Sequence, residues 1–119
     1  MSLSDTARLP DYLAHILEAI ERIDEYTSGL STARFLQNKL IQDAVLRNLE
    51  IVGEASHGIE ARYPEFAAAH PDLPLAFAYQ MRNAVAHGYF KVDMEIVWQT
   101  IRQDLPTFHT KVKKLLASG

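Results

Sequence analysis

Cysteine is absent from all 119 residues. That single absence rules out disulfides, thiolate zinc sites and a cysteine nucleophile. No apolar run approaches the roughly 18–20 residues that span a bilayer. The opening residues, Met1-Ser2-Leu3-Ser4-Asp5, lack a basic stretch followed by an apolar one, so no signal peptide is expected. Together these absences fit a cytoplasmic protein with no membrane contact. Strict apolar–polar alternation is missing, as are Asn-Gly and Asp-Gly turns, so no strand is expected. There is no glycine-rich phosphate loop, and hence no nucleotide cofactor bound in that way. His15, His57, His70 and His109 stand at no metal-ligand spacing, so neither a metal nor another cofactor is expected. Positive charge is also short: the formal net charge is −3, which argues against coating nucleic acid by bulk charge. It leaves room for a local grip on one phosphate.

What remains is helical periodicity. The length suits one domain, taken as residues 1–119 with 1–9 as a loose leader. Pro10 suits the first turn of a helix over about 10–28, with Leu13, Ile16, Leu17, Ile20 and Ile23 at helical spacing and Gly29 as its stop. Ser31 or Thr32 can cap a long second helix reaching Arg62, where Tyr63-Pro64 should end it. Its stripe is Ile41, Val45, Leu49, Val52 and Ile59, broadened by Phe35 and Leu46. Gly53 and Gly58 inside it mark a close helix approach or a bend, since each costs about 1 kcal/mol against alanine. Asp43, Arg47, Glu50 and Glu54 read as a surface ion-pair ladder. Residues 63–74 hold three of the five prolines and read as an ordered connector anchored by Phe66 and Leu73. A third helix runs from Pro74 to Gly88. Asp93 caps a fourth, which Pro106 should break or kink, and a short fifth follows with Phe108, Val112, Leu115 and Leu116. The expected fold is all-α: an antiparallel up-and-down four-helix bundle with a short additional C-terminal helix.

The chemistry concentrates between Arg82 and Tyr89. Asn83 and His87 are four residues apart on one helical face, so the amide can hydrogen-bond the imidazole and set its tautomer. Arg82 and His87 are five apart, about 140° around a straight helix, and do not converge unless the helix ends. Gly88 lets it end there. An arginine fork suits a phosphate, and a histidine can move a proton. The pair suffices in principle for RNA cleavage without a metal, with electrostatic stabilisation worth about 3–4 kcal/mol per donor. One histidine does not readily serve as both acid and base. A homodimer placing two copies at a two-fold axis would supply both. The same residue set also serves elsewhere as a capping and salt-bridge cluster.

Arg82-Asn83, His87-Gly88 and Tyr89 resemble the Arg-x4-His-x-Tyr signature of the HEPN superfamily, specifically the HepT-like toxins. Met81, the run Val97-Trp98 to Asp104-Leu105-Pro106, and Arg47 with Glu50-Ile51-Val52-Gly53-Glu54-Ala55 extend the resemblance over roughly residues 10–116. Phe77 and Tyr79 stand where that family's pattern leads one to expect a tryptophan. The resemblance implies a helical homodimer with the two motifs facing across a cleft. It implies a ribonuclease toxin acting on RNA, with Arg82 and His87 catalytic and Asn83 in support. It implies a partner, a minimal nucleotidyltransferase of the MntA type, that attaches AMP to Tyr89 and silences the nuclease. AMP would add bulk and negative charge beside Arg82.

Two other classes stay open on the sequence. The chain could be a non-catalytic helical partner of a nucleotidyltransferase, or a structural dimer whose motif stabilises an interface. Lys91 could add charge for RNA or be a solvated loop residue. Lys111, Lys113 and Lys114 read as a solvated helix end. Whether Glu50 or Glu54 holds Arg82 or Arg47 across the bundle is undecided at this level.

Overall fold

The computed structural model describes residues 8–87 and 93–118. Among them there is no strand. The helices are α1 (Leu9–Thr27), α2 (Thr32–Gln37), α3 (Lys39–Arg62), α4 (Pro64–Ala69), α5 (Leu75–Ala86), α6 (Met94–Gln99) and α7 (Leu105–Ser118). The expected all-α bundle is what the chain forms. α3 is its axis, packed against α1 on one side and α5 on the other, and α7 closes against α1. No described helix is long and apolar enough to cross a membrane.

α1 follows its periodicity. Leu13, Ile16, Ile20 and Ile23 are buried, and the Asp11 carboxylate caps the first turn by accepting from the Arg8 backbone N–H at 2.9 Å. Gly29 takes a φ of 72°, a left-handed turn that glycine adopts without strain. Of the expected leader, Leu9 already belongs to α1 and Arg8 caps it, while residues 1–7, like Gly88, the expected stop of the third helix, fall outside those described.

The long second helix is divided. Asn38 is extended, with φ −108° and ψ 94°, and its Oδ1 accepts from the Ile41 N–H at 3.0 Å. Asparagine competes for backbone groups and so favours a cap over a helix interior. The Gln42 amide then bridges the break by donating to the Phe35 carbonyl at 2.8 Å. The break lets Phe35 bury fully against Trp98, ring centroids 4.9 Å apart. Asn38→Ala is expected to cost about 1 kcal/mol and to lower the melting temperature by roughly 3–6 °C. An unchanged or raised midpoint in calorimetry would show that the cap does not stabilise this corner.

Two proline-rich stretches differ from expectation. Residues 63–74 contain a short helix, α4, because Pro64 presets the φ of a first turn and three alanines follow it. Leu73 is buried as an anchor. Lys111 is more than a solvated helix end: its ammonium donates to the Asp72 carbonyl at 3.0 Å and lies 3.7 Å from the Asp72 carboxylate. Of the break or kink expected at Pro106, the break does not occur. Thr100–Asp104 form a wide π turn in which the Leu105 N–H donates to the Thr100 carbonyl, five residues back. Proline lacks an N–H and crowds the carbonyl four residues back; a widened turn absorbs both problems. The last helix is thus continuous with α6 and reaches 14 residues.

Candidate active site

The site is built on a glycine. A Cβ placed at Gly53 would collide with the Arg82 stem and lie 2.7 Å from the Ala78 carbonyl oxygen. Glycine at this position lets α5 sit directly on the α3 backbone, the close approach expected of it. Gly58 does the same for α1, with the Tyr12 ring lying where its Cβ would be.

With its aliphatic stem laid across Gly53, Arg82 reaches one residue along α3. Its Nη2 lies 3.5 Å from Glu54 Oε1. Its Nη1 donates to Asn83 Oδ1 at 3.0 Å. Its Nε is buried and has no acceptor among the described residues. The Arg82 side chain is 29% exposed and that of Glu54 49%, so solvent screens the pair and its contribution to stability is small. Its consequence is directional: carboxylate and amide together fix the plane of the guanidinium. The question left open by the sequence is settled by register. Glu54 crosses to Arg82, whereas Glu50 pairs along its own helix with Arg47 at 3.9 Å.

His87 lies at the end of α5. Its backbone N–H donates to the Asn83 carbonyl at 3.0 Å, its φ and ψ are −81° and −2°, and it is exposed. The helix ends at Ala86 with His87 as its C-cap, and a spacing of five residues sets Arg82 and His87 about 140° apart on an ideal helix. The structure brings Arg82 and Asn83 together. Tyr89 and Lys91 fall on residues outside those described.

One feature of this face was not anticipated. The His57 and Tyr79 rings stack, centroids 4.0 Å apart and planes 13° from parallel. His57 follows Gly53 by four residues and Tyr79 precedes Arg82 by three. Both spacings are visible in the sequence, but only the α3–α5 register pairs them. Among the described residues, no three His, Asp or Glu side chains converge as a metal-ligand set. Two surface hollows of about 280 and 300 Å³ lie elsewhere, one by Glu21 and His109, the other by Asp72 and Phe77.

Comparison with known proteins shows the family. The family model described as "Ribonuclease HepT-like" matches residues 16–115. The chain belongs to the HepT-like ribonuclease family. The "Probable ribonuclease HepT" of Thermococcus cleftensis is 42% identical over 105 residues, covering 88% of this chain and 93% of the relative. A protein of Caldanaerobacter subterraneus subsp. tengcongensis named "Putative RNase" is 34% identical over 105 residues, 88% of this chain and 91% of its own. A Methanocaldococcus jannaschii protein named "Gamma-glutamylcyclotransferase and putative RNase" is 35% identical over 105 residues, 88% of this chain but 46% of its own length. No solved structure matches. The HepT-like match takes in Gly53, Glu54, Arg82, Asn83, His87 and Tyr89.

Proposed function

We propose that this HepT-like chain is a metal-independent endoribonuclease toxin that works as a homodimer, with Arg82 and His87 as its catalytic pair and Asn83 in support. The observation that carries the reading is the Arg82 guanidinium. It is aimed by Glu54 and Asn83, and its side chain is 29% exposed. The solvent-facing part of a guanidinium held in this way is a charge-assisted donor, and an anionic phosphate oxygen is the acceptor it suits best.

The reaction follows from the residue types. The RNA 2′-oxygen attacks the neighbouring phosphorus and gives up its proton to a histidine base. The bond from phosphorus to the 5′-oxygen breaks, leaving a 2′,3′-cyclic phosphate and a 5′-hydroxyl that takes its proton from an acid. Arg82 stabilises the charge that gathers on the phosphoryl oxygens. His87 of one copy and the partner subunit's His87 divide the base and acid roles. A two-fold axis beside the segment would bring the two copies of the pair together and supply both roles.

Regulation belongs to the same proposal. A cognate minimal nucleotidyltransferase of the MntA type attaches AMP to Tyr89, two residues beyond His87. The added phosphate repels the RNA backbone and competes for Arg82.

His87→Ala tests the core of the reading. In EDTA, the parent is expected to cleave RNA to cyclic-phosphate products and to arrest growth on expression, and the variant to do neither. Intact mass of the chain co-expressed with its nucleotidyltransferase should show whole AMP increments that map to Tyr89. A His87→Ala chain as toxic and as active as the parent would end the catalytic assignment. A parent with no RNA turnover that still co-purifies with the nucleotidyltransferase would make it a binding subunit.

A further inference from the structure

We propose that the His57–Tyr79 stack is a base-binding platform that receives the nucleobase next to the phosphate held by Arg82, and so contributes to substrate selection. The proposal rests on the ribonuclease reading above and adds a binding subsite to it.

Three observations carry it. First, the two rings lie nearly parallel at 4.0 Å, so the Tyr79 phenol covers one face of the His57 imidazole. His57 is nonetheless exposed while Tyr79 is half-buried. With one face of the imidazole covered by Tyr79, the other face is the one left for a ligand ring. A flat ring, backed by a second ring and open on the other side, is the arrangement on which unpaired bases stack. Second, the platform is adjacent to the phosphate-directed group on both helices. Glu54, which aims Arg82, precedes His57 by three residues on α3. Tyr79 precedes Arg82 by three on α5. Each step is about 4.5 Å along a helix axis, the scale on which a sugar separates a base from its phosphate. Third, the platform is held in place. Gly53 brings the α3 and α5 backbones into contact, so the two rings meet without either side chain having to stretch.

The chemistry of recognition is stacking, which is tolerant of base identity but stronger for large ring systems. Purines are therefore expected to bind better than pyrimidines at this position. His57 acts here as a plate. A proton-transferring role would demand an imidazole; a plate demands only an aromatic ring.

The test uses the full chain with fluorescein-labelled 2′-O-methyl hexanucleotides, A6 and U6, which lack the attacking hydroxyl and report binding alone. Cleavage of the corresponding all-ribo oligonucleotides is measured in parallel. His57→Ala is expected to weaken A6 binding about 5- to 100-fold, and U6 binding less. It should raise KM for cleavage by a similar factor while leaving kcat at saturation near that of the parent. His57→Phe should restore both binding and KM. Because His57 is exposed, these variants should fold, and a thermal melt checks that they do. Parent-like A6 binding by His57→Ala, in a chain whose cleavage is lost in His87→Ala, would overturn the platform and leave the nuclease reading intact. So would a failure of His57→Phe to rescue, accompanied by a fall in kcat. A parent chain that neither binds A6 nor cleaves RNA would overturn both.

Discussion

Arg82→Ala is expected to lower the RNA cleavage rate by about 10²–10³-fold, the scale seen when one charge-stabilising donor is removed, while the melting temperature moves little. The two effects separate for a physical reason. The ion pair with Glu54 is partly solvent-screened and contributes little to folding. Removing the guanidinium also removes a buried Nε that has no acceptor among the described residues, which offsets part of the packing lost with the stem. In the transition state no such offset exists, because water cannot replace a fixed fork. Arg82→Lys sharpens the test. A lysine keeps the charge but is a point donor rather than a fork, so it cannot reproduce the pairing with both Glu54 and Asn83 and still meet a phosphate. Its rate should fall between alanine and the parent. Single-turnover cleavage and calorimetry on the same preparations read the two quantities. A loss of activity matched by a comparable loss of folding stability would mean that Arg82 is structural.

Gly53→Ala is expected to be the most damaging change of a single methyl group. Two effects oppose one another. Alanine gains about 1 kcal/mol of helix propensity over glycine. Against that, its Cβ would sit 2.7 Å from the Ala78 carbonyl oxygen and on top of the Arg82 stem. A backbone carbonyl cannot swing aside as a side-chain tip can, so α3 and α5 must move apart. Overpacking of this kind costs about 1–3 kcal/mol, sometimes more, and the clash should win. The larger consequence is for the site. A displacement of about 1 Å can cost roughly 10²-fold in rate, and here it would carry Arg82 away from Glu54 and uncouple His57 from Tyr79. Cleavage should therefore fall by more than the stability loss implies. A Gly53→Ala chain with parental melting temperature and parental rate would show that the close approach is dispensable.

Much of this molecule is legible from residue order because helices are local. The burial of Leu13, Ile16, Ile20 and Ile23 follows from a 3.6-residue period. The caps at Asp93 and near Ser31 follow from side chains that accept from the next turn. Composition and spacing likewise isolated Arg82, Asn83 and His87, which lie within the residues that the HepT-like family model matches. Local rules failed where two local preferences compete. Asn38 could have continued a helix or capped a new one, and burial of Phe35 on Trp98 accompanies the cap. Pro106 could have ended a helix, yet the π turn before it and the burial of Leu105 and Phe108 let the helix run on.

The sequence by itself determined that the chain is an all-helical bundle, that its candidate site lies at the end of one helix, and that Arg82 and His87 are spaced about 140° apart around that helix. These are consequences of angular spacing along one element. The partners of Arg82 were decided only by tertiary structure. Glu50 and Glu54 are equivalent carboxylates one turn apart, and nothing local prefers either. The contact of α5 with the bare backbone at Gly53 sets the register. That register gives Glu54 to Arg82, leaves Glu50 to Arg47, and lays His57 against Tyr79.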